Sequence, residues 1–426
     1  MQTKMLVIVA GAALGLSASA FAQNANLDQS RAYNAELIAD AGDRASLLAG
    51  GAAGNSTYAG TFGIGDSTGA NRLNIGGTTW LRYNVSMRDD ATVGDVDDLT
   101  VGFNNPTNRI RFWGNVWDKN LTFKVQGNFG GEFSDSGIFG LEDAYAMYSW
   151  DSGFAIKWGQ YRMPLMREFS VEDEFQLAAD RSVVTRVFSP GYTQGVQFSW
   201  QSDDFRFVGG LTDGLNTGNT DFNSSAEADI ALNARFDWKV MGGSWERFND
   251  ITSFRSATDN ALLVGAGFVW QTAGETGGTA GSDVDTILYT IDGSWEGPGY
   301  NVMVAGYGAH LSPEFGSDLD NFGAVVQGGI FVTEQIELFA RYSIIAFDDD
   351  AGADPATLHF AEGGMNYYIS KESHAAKFTT QLGYAFNDTT ALFGTGGLLS
   401  GNTRNGFLGD TEDGEISLMA QMQLVW

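Results

Sequence analysis

The sequence predicts an all-β protein, a transmembrane antiparallel β-barrel of about sixteen strands. Three observations carry this expectation. The chain ends on a segment of period two. Ile416, Leu418, Ala420, Met422, Leu424 and Trp426 form one apolar column, and Ser417, Gln421 and Gln423 lie on the other. Termini fray unless they are tied down, whereas a membrane barrel needs a last strand that closes against the first and leaves no open edge in lipid. Secondly, alternating segments of roughly ten residues recur along the chain, joined by connections of unequal length. Thirdly, hydrophobic residues make up 43% and aromatics 13%, with Gly at 56 and Pro at 6, yet no run approaches the length of a membrane helix. A helical membrane protein is thereby excluded.

Taken in order, residues 1–22 read as a secretory signal peptide. Lys4 precedes the apolar stretch Met5 to Leu16, and Ala20-Phe21-Ala22 fits the cleavage pattern, which places the mature start at Gln23. Residues 23–71 are expected to hold a short amphipathic helix (31–49) and a Gly/Ala/Ser lead-in. The barrel is expected over 72–426. There are no cysteines, so disulfide and thiolate chemistry are excluded.

From Arg72 the period becomes two. Arg109 to Trp117 turns at Asp118-Lys119-Asn120 and returns as Leu121 to Phe129. Ile110, Phe112, Val116, Leu121, Phe123 and Val125 share one face; Arg109, Arg111, Asn115, Thr122, Lys124, Gln126 and Asn128 share the other. Short turns recur at 151–153, 202–204, 296–299 and 333–335. Longer connections are expected at 86–98, 212–227, 249–260, 272–284 and 387–414, and short turns on one rim with long loops on the other are the outer-membrane pattern. Aromatics near strand ends, among them Trp80, Trp158, Trp238, Trp295 and Tyr368, are expected in interface girdles.

Four stretches, in this order, resemble the bacterial porin O/P family, whose best-known members are phosphate- or polyphosphate-selective. They are Leu141 to Tyr145 with Lys157 to Pro164; Asp180 to Val184; Gln335 to Tyr342; and Gly364 to Ile369 with His374 to Phe378 and the closing strand. The resemblance implies sixteen strands, a trimer, and a constriction loop folded into the barrel, here about Met163 to Thr193. The loop's composition agrees, because Met163, Leu165, Met166, Phe169, Phe175, Leu177, Val183, Val184, Val187 and Phe188 suit an inner wall better than a free surface.

Charge bears on selectivity. Net charge is −28, with 52 acidic and 24 basic residues, which argues against nucleic acid as a partner. The same scarcity of basic residues sets the chain apart from the phosphate-selective relatives. Position counts for more than totals. A charged side chain facing lipid near the midplane costs about 2–4 kcal/mol, so Arg109, Arg111, Lys124, Lys157 and Arg341 should face the interior, as should Arg82, Arg235 and Lys239. The loop adds Arg162, Arg167, Arg181 and Arg186. These nine residues (Arg109, Arg111, Lys124, Lys157, Arg162, Arg167, Arg181, Arg186 and Arg341) are the candidate anion-facing lining. A pore in which the arginines merely pair with loop acids fits the residues equally well. On the first reading, Arg111→Glu or Arg181→Glu should move ion preference towards cations and leave folding intact.

Catalysis is not expected. Gly65-Asp66-Ser67-Thr68-Gly69 matches G-x-S-x-G, but a nucleophile elbow needs strand-to-helix context. His374 lies in a turn and is expected to be exposed. Neither a phosphate-binding loop nor a His/Cys metal spacing is present, so no cofactor or metal is expected. The sequence therefore implies an exported outer-membrane channel for small hydrophilic solutes or ions, with outer-membrane lipids as its surroundings. The competing expectation is a structural or adhesive barrel tied to the cell wall through residues 31–49.

Overall fold

The computed structural model describes residues 62–89, 98–130, 139–275, 283–394 and 405–426. The signal peptide expected at 1–22 and the helix expected at 31–49 lie outside these residues. β1 (Phe62–Gly65) makes a hairpin with β2 (Arg72–Met87). A broken strand follows, β3 (Leu99–Asn104) and β4 (Asn108–Val116), and then β5 (Asp118–Asn128), β6 (Gly140–Ser149), β7 (Phe154–Arg162), β8 (Tyr192–Gln201) and β9 (Phe205–Thr212). The far side holds β10 (Ile230–Met241), β11 (Ala261–Thr272), β12 (Val284–Gly297), β13 (Tyr300–Pro313) and β14 (Leu319–Phe331). β15 (Ile336–Ala346), β16 (Thr357–Tyr368), β17 (Ala376–Ala385) and β18 (Ile416–Val425) complete the chain.

Every neighbouring pair is antiparallel, and β18 pairs with β2 from Ile416↔Met87 to Val425↔Thr78, so the sheet closes. The eighteen segments make sixteen staves. β3 and β4 run end to end along β2, because Pro106 has no N–H to give to the ladder. β1 continues the column of β18, pairing with the start of β2 just beyond the point where the C-terminus leaves it. The seam is tight: Gly77 and Trp426 exchange backbone hydrogen bonds of 2.7 and 3.0 Å, and a Cβ on Gly77 would lie 2.5 Å from the Trp426 ring.

The two faces follow the alternation. On β18, Met422 and Leu424 are exposed outward, while Ser417, Met419, Gln421 and Gln423 are buried inward. Outward apolar rings and aliphatics on other strands (Phe198, Phe236, Ile291, Val304) cover the lipid-facing side. Ala420→Arg, near the middle of β18, is therefore expected to destabilise the barrel by about 2–4 kcal/mol in denaturant unfolding from a bilayer. An unchanged midpoint would show that the outward face of β18 is not in lipid.

Several expectations about the rims and rings change. The connection 242–260 lies on the short-turn rim, not among the long loops: strand order fixes the rim, and composition gives only loop length. Trp80 and Tyr368 point inward and are buried, Tyr368 donating to Glu337 at 2.7 Å, so neither belongs to an interface girdle. An aromatic joins a girdle only if its position in the two-residue period faces out.

The barrel interior is crossed by residues 163–191, closed at the base by Met163 N to Gly191 O at 3.1 Å. It includes α1 (Arg167–Ser170), a 3-10 turn at Asp173–Phe175 and α2 (Val183–Val187). The ten apolar residues expected to anchor it are all buried, against Leu288, Met303, Tyr307, Val325, Phe339 and neighbours on the β12–β17 wall. That burial, at about 25 cal/mol per Å² of apolar surface, is what holds an otherwise irregular segment inside. Glycine makes the close approach possible. A Cβ on Gly323 would lie 2.7–2.8 Å from Phe188 and Val184, and one on Gly329 would lie 2.7 Å from Leu177.

Candidate functional site

The nine candidate residues are drawn to the junction between the wall and the crossing segment. Arg109 on β4 pairs with Glu142 at 2.6 Å and with Asp173. Arg111, two residues on, pairs with Glu174 at 2.5 Å and donates to Thr78 Oγ1 at 3.1 Å. Lys124 on β5 lies between Asp143 at 2.8 Å and Glu172 at 2.7 Å. Arg341 on β15 grips Glu362 at 2.6 Å and Glu168 at 3.5 Å, and donates to the Asp180 carbonyl at 2.9 Å.

Of the four arginines expected in the loop, Arg162 is the last residue of β7 and the other three lie in the segment; most of their contacts are to the segment itself. Arg162 donates to the carbonyls of Phe169 and Val171 and lies 3.4 Å from Glu172. Arg181 pairs with Asp173 and donates to the carbonyls of Glu168 and Val171; Arg186 pairs with Asp180. Arg167 reaches out of the segment to the carbonyls of Phe248 and Asp250, and lies 3.6 Å from Glu296. Glu168 carries much of the inner fold of the loop, accepting from Ser182 N at 2.9 Å and from the hydroxyls of Ser182 and Thr185 at 2.6 and 2.5 Å.

Lys157 differs. Its ammonium lies over the rings of Tyr145 and Tyr161, 4.7 and 5.2 Å from their centroids, and no carboxylate of the described residues is within ion-pair distance. It borders a cavity of about 710 Å³ between the segment and the β4–β10 wall. Six basic residues line this cavity, Arg111, Lys124, Lys157, Arg167, Arg206 and Arg235, with Glu172 and Asp237 as the acids. Arg206 was not among the expected residues, although its place between Phe205 and Phe207 assigns it to the inward face.

This geometry overturns the expected outcome of charge reversal. Arg111 and Arg181 are buried against Glu174 and Asp173, so a glutamate there would confront a carboxylate out of water and disturb folding.

A second inward segment comes from the short-turn rim. Residues 242–260 include a 3-10 turn at Trp245–Asn249, bury Phe248 and Ile251, and meet the crossing segment through Ile251 N to Phe175 O at 3.2 Å. His374, expected to be an exposed turn residue, is buried beneath it. Its Nε2 lies 2.8 Å from Asp250, and Phe175, Phe254 and Tyr368 surround its ring. The contact with Asp250 is not legible locally, because the two residues lie more than a hundred positions apart in the chain.

The G-x-S-x-G match occupies the β1–β2 hairpin turn. Asp66 accepts from Thr68 N at 2.9 Å and Thr68 Oγ1 at 2.7 Å, and from Asn71 Nδ2 at 2.7 Å; these bonds hold its carboxyl down to about 2. Strand leads to strand here, so the motif has no elbow geometry. Among the described residues no group of three or more His, Asp or Glu side chains is placed to hold a metal ion.

No protein-family model and no curated protein sequence matches the chain. Solved structures do. An anion-selective porin from Comamonas acidovorans superposes with a TM-score of 0.60 over 83% of this chain and 99% of that one, at 12% identity. OprB of Pseudomonas putida gives 0.55 at 11% identity, covering 83% and 94%. The outer-membrane channel DcaP of Acinetobacter baumannii gives 0.54 at 13%, covering 85% and 99%. At these identities the likeness concerns architecture: the chain has the fold of the bacterial outer-membrane porins.

Proposed function

We propose that this protein is an outer-membrane channel through which small hydrophilic solutes and ions diffuse, with a preference for anions. The observation that carries the reading is the basic cavity beside the crossing segment, where Lys157 has no carboxylate partner among the described residues. The crossing segment packs on the β12–β17 wall, and the basic cavity lies between it and the β4–β10 wall, where Arg206, Lys157 and Lys124 would meet a passing ion. In a narrow channel with low-dielectric walls such a lining concentrates ions of opposite sign. The paired arginines contribute less, since each is largely neutralised by its carboxylate. Their part is to hold the constriction open at a fixed width.

Export through the signal peptide at 1–22, placement among outer-membrane lipids and assembly as a homotrimer belong to the same proposal. One solved neighbour, OmpT of Vibrio cholerae, is described as a trimer form. Phosphate is a narrower possibility within the anion class, inherited from the porin O/P resemblance.

The test is the reversal potential of the purified protein in a planar bilayer under a KCl gradient. The wild type is expected to favour chloride. Lys157→Glu should lower the chloride-to-potassium permeability ratio at least about fivefold, the effect of a reversed charge near a passing ion. A cation-favouring wild type, or a Lys157→Glu variant with an unaltered potential, would overturn the anion preference; absence of conductance would overturn the channel. Block by millimolar phosphate would extend the reading to phosphate.

A further inference from the structure

The cavity between the crossing segment and the β4–β10 wall is bordered by rings as well as charges. Residues directly opposite on neighbouring strands share a face, and one inward row reads Trp113 on β4, Lys124 on β5 and Tyr145 on β6. Lys157 on β7, one inward row further along, brings its ammonium to 4.7 Å from the Tyr145 ring centroid. All four side chains border the cavity, and all four stay partly exposed. Other inward rings do not: Trp80 and Tyr368 are 3% and 0% exposed and belong to the packing.

The wall accommodates the indole through a glycine. The six-membered ring of Trp113 rests against Gly76 of β2, where a Cβ would lie 3.0 Å from Cη2 and 3.2 Å from Cζ3. Without a side chain at that position the ring can lie along the wall and leave the cavity open. The space, about 710 Å³, is within the range of small-molecule sites.

The charges divide into two kinds. Arg111, Lys124, Arg167, Arg206 and Arg235 each hold a carboxylate, whereas Lys157 has none among the described residues. A neutralised cation has little left for a second anion, yet it still attracts the negative face of an aromatic ring. Lys157 is therefore the place for a solute's own carboxylate, and the rest of the wall favours a ring. Acetate would use Lys157 alone. A hydroxylated acid offers no π face to the neutralised cations. An aryl carboxylate offers both groups: its acid end meets Lys157, and its ring stacks offset on Trp113 or meets Tyr145 edge to face.

We propose that Trp113, Tyr145 and Lys157 form a binding subsite for small aromatic carboxylates, recognised in passage through the channel. The proposal rests on the channel reading above and deepens it by naming the class of solute. The lysine selects the acid, and the two rings select the aryl group.

The experiment compares benzoate with acetate, cyclohexanecarboxylate and gluconate, all singly charged, on the full-length protein. Two readouts are used, block of chloride current in planar bilayers and calorimetric binding in detergent. Benzoate is expected to act at concentrations at least about tenfold below acetate and about threefold below cyclohexanecarboxylate, as ring stacking and cation–π attraction would give. Trp113→Leu and Tyr145→Leu should each reduce the benzoate-to-acetate ratio about three- to tenfold, the effect of one lost aromatic pair. Trp113→Phe keeps a ring and should retain most of the ratio. Lys157→Gln should weaken benzoate and acetate alike. Lys371→Ala, in the exposed turn between β16 and β17, serves as the control and should behave as wild type.

Gluconate or cyclohexanecarboxylate acting as well as benzoate would overturn the aromatic subsite, as would a benzoate-to-acetate ratio unaffected by both leucine variants. If the protein conducts nothing yet still binds benzoate with the expected variant pattern, the channel reading falls and the subsite stands. If it conducts with an anion preference but shows no benzoate preference, the reverse holds.

Discussion

Arg111→Glu is expected to unseat the crossing segment and not merely to recolour the pore. Arg111 is 1% exposed and Glu174 wholly buried, and their 2.5 Å pair joins β4 to the 3-10 turn at Asp173–Phe175. Breaking a buried pair costs about 3–5 kcal/mol, because it leaves an uncompensated charge out of water; placing a second carboxylate there costs more. The loss exceeds what a single apolar contact of the segment restores, so the turn should leave the wall. Larger and noisier single-channel conductance is expected, with new protease cleavage in 163–191 and a lower unfolding midpoint. The double variant Arg111→Glu/Glu174→Arg should recover a good part of each, since it restores the pair in reverse. Quiet, wild-type conductance in the single variant would show that this pair does not hold the constriction. The contrast with Lys157→Glu is the useful one. There the ammonium has no carboxylate to abandon, so selectivity should change while the segment stays seated.

Gly323→Leu is expected to have a comparable effect from the opposite wall and without any change of charge. The ideal Cβ position on Gly323 is already 2.7 Å from Phe188 and 2.8 Å from Val184, and a leucine extends further into the same space. Neither neighbour can withdraw: both are buried in the main apolar cluster, Phe188 stacked on Tyr307 with ring centroids 6.0 Å apart. Overpacking of this kind costs about 1–3 kcal/mol. The strain should be relieved by moving α2 off β14, which raises conductance and exposes Arg186 to trypsin. Gly323→Ala should give a smaller change in the same direction. An unaltered conductance and cleavage pattern in Gly323→Leu would show that α2 does not rest on this glycine.

Much of the architecture was legible in the sequence. Period-two alternation separates an outward apolar column from an inward polar one, and this rule places Ile110 and Phe112 opposite Arg109 and Arg111 without any knowledge of neighbours. The closing strand could be read from Ile416 to Trp426 for the same reason. The composition of Met163 to Thr193 marked it as too apolar for a solvated loop. Where the reading of the charged residues stopped short, the missing quantity was a partner distant along the chain. Alternation says that Arg341 faces inward; only the fold brings it to Glu168 and Glu362. The turn containing His374 gave no hint that Asp250 lies above it. The rim occupied by 242–260 depends on the parity of strands before it, which no local window contains.

The sequence by itself determined the fold class, the inward or outward side of most strand residues and the apolar character of the crossing segment. These are set by the cost of putting a charge in lipid or an apolar side chain in water, and that cost is paid residue by residue. Only the tertiary structure decided which of the inward charges remain available to a solute. That depends on distances between residues far apart in sequence. Among the nine candidates, eight were brought within reach of carboxylates in the assembled barrel and Lys157 was not. Neutralisation is a pairwise property, so it exists only once the pairs have formed.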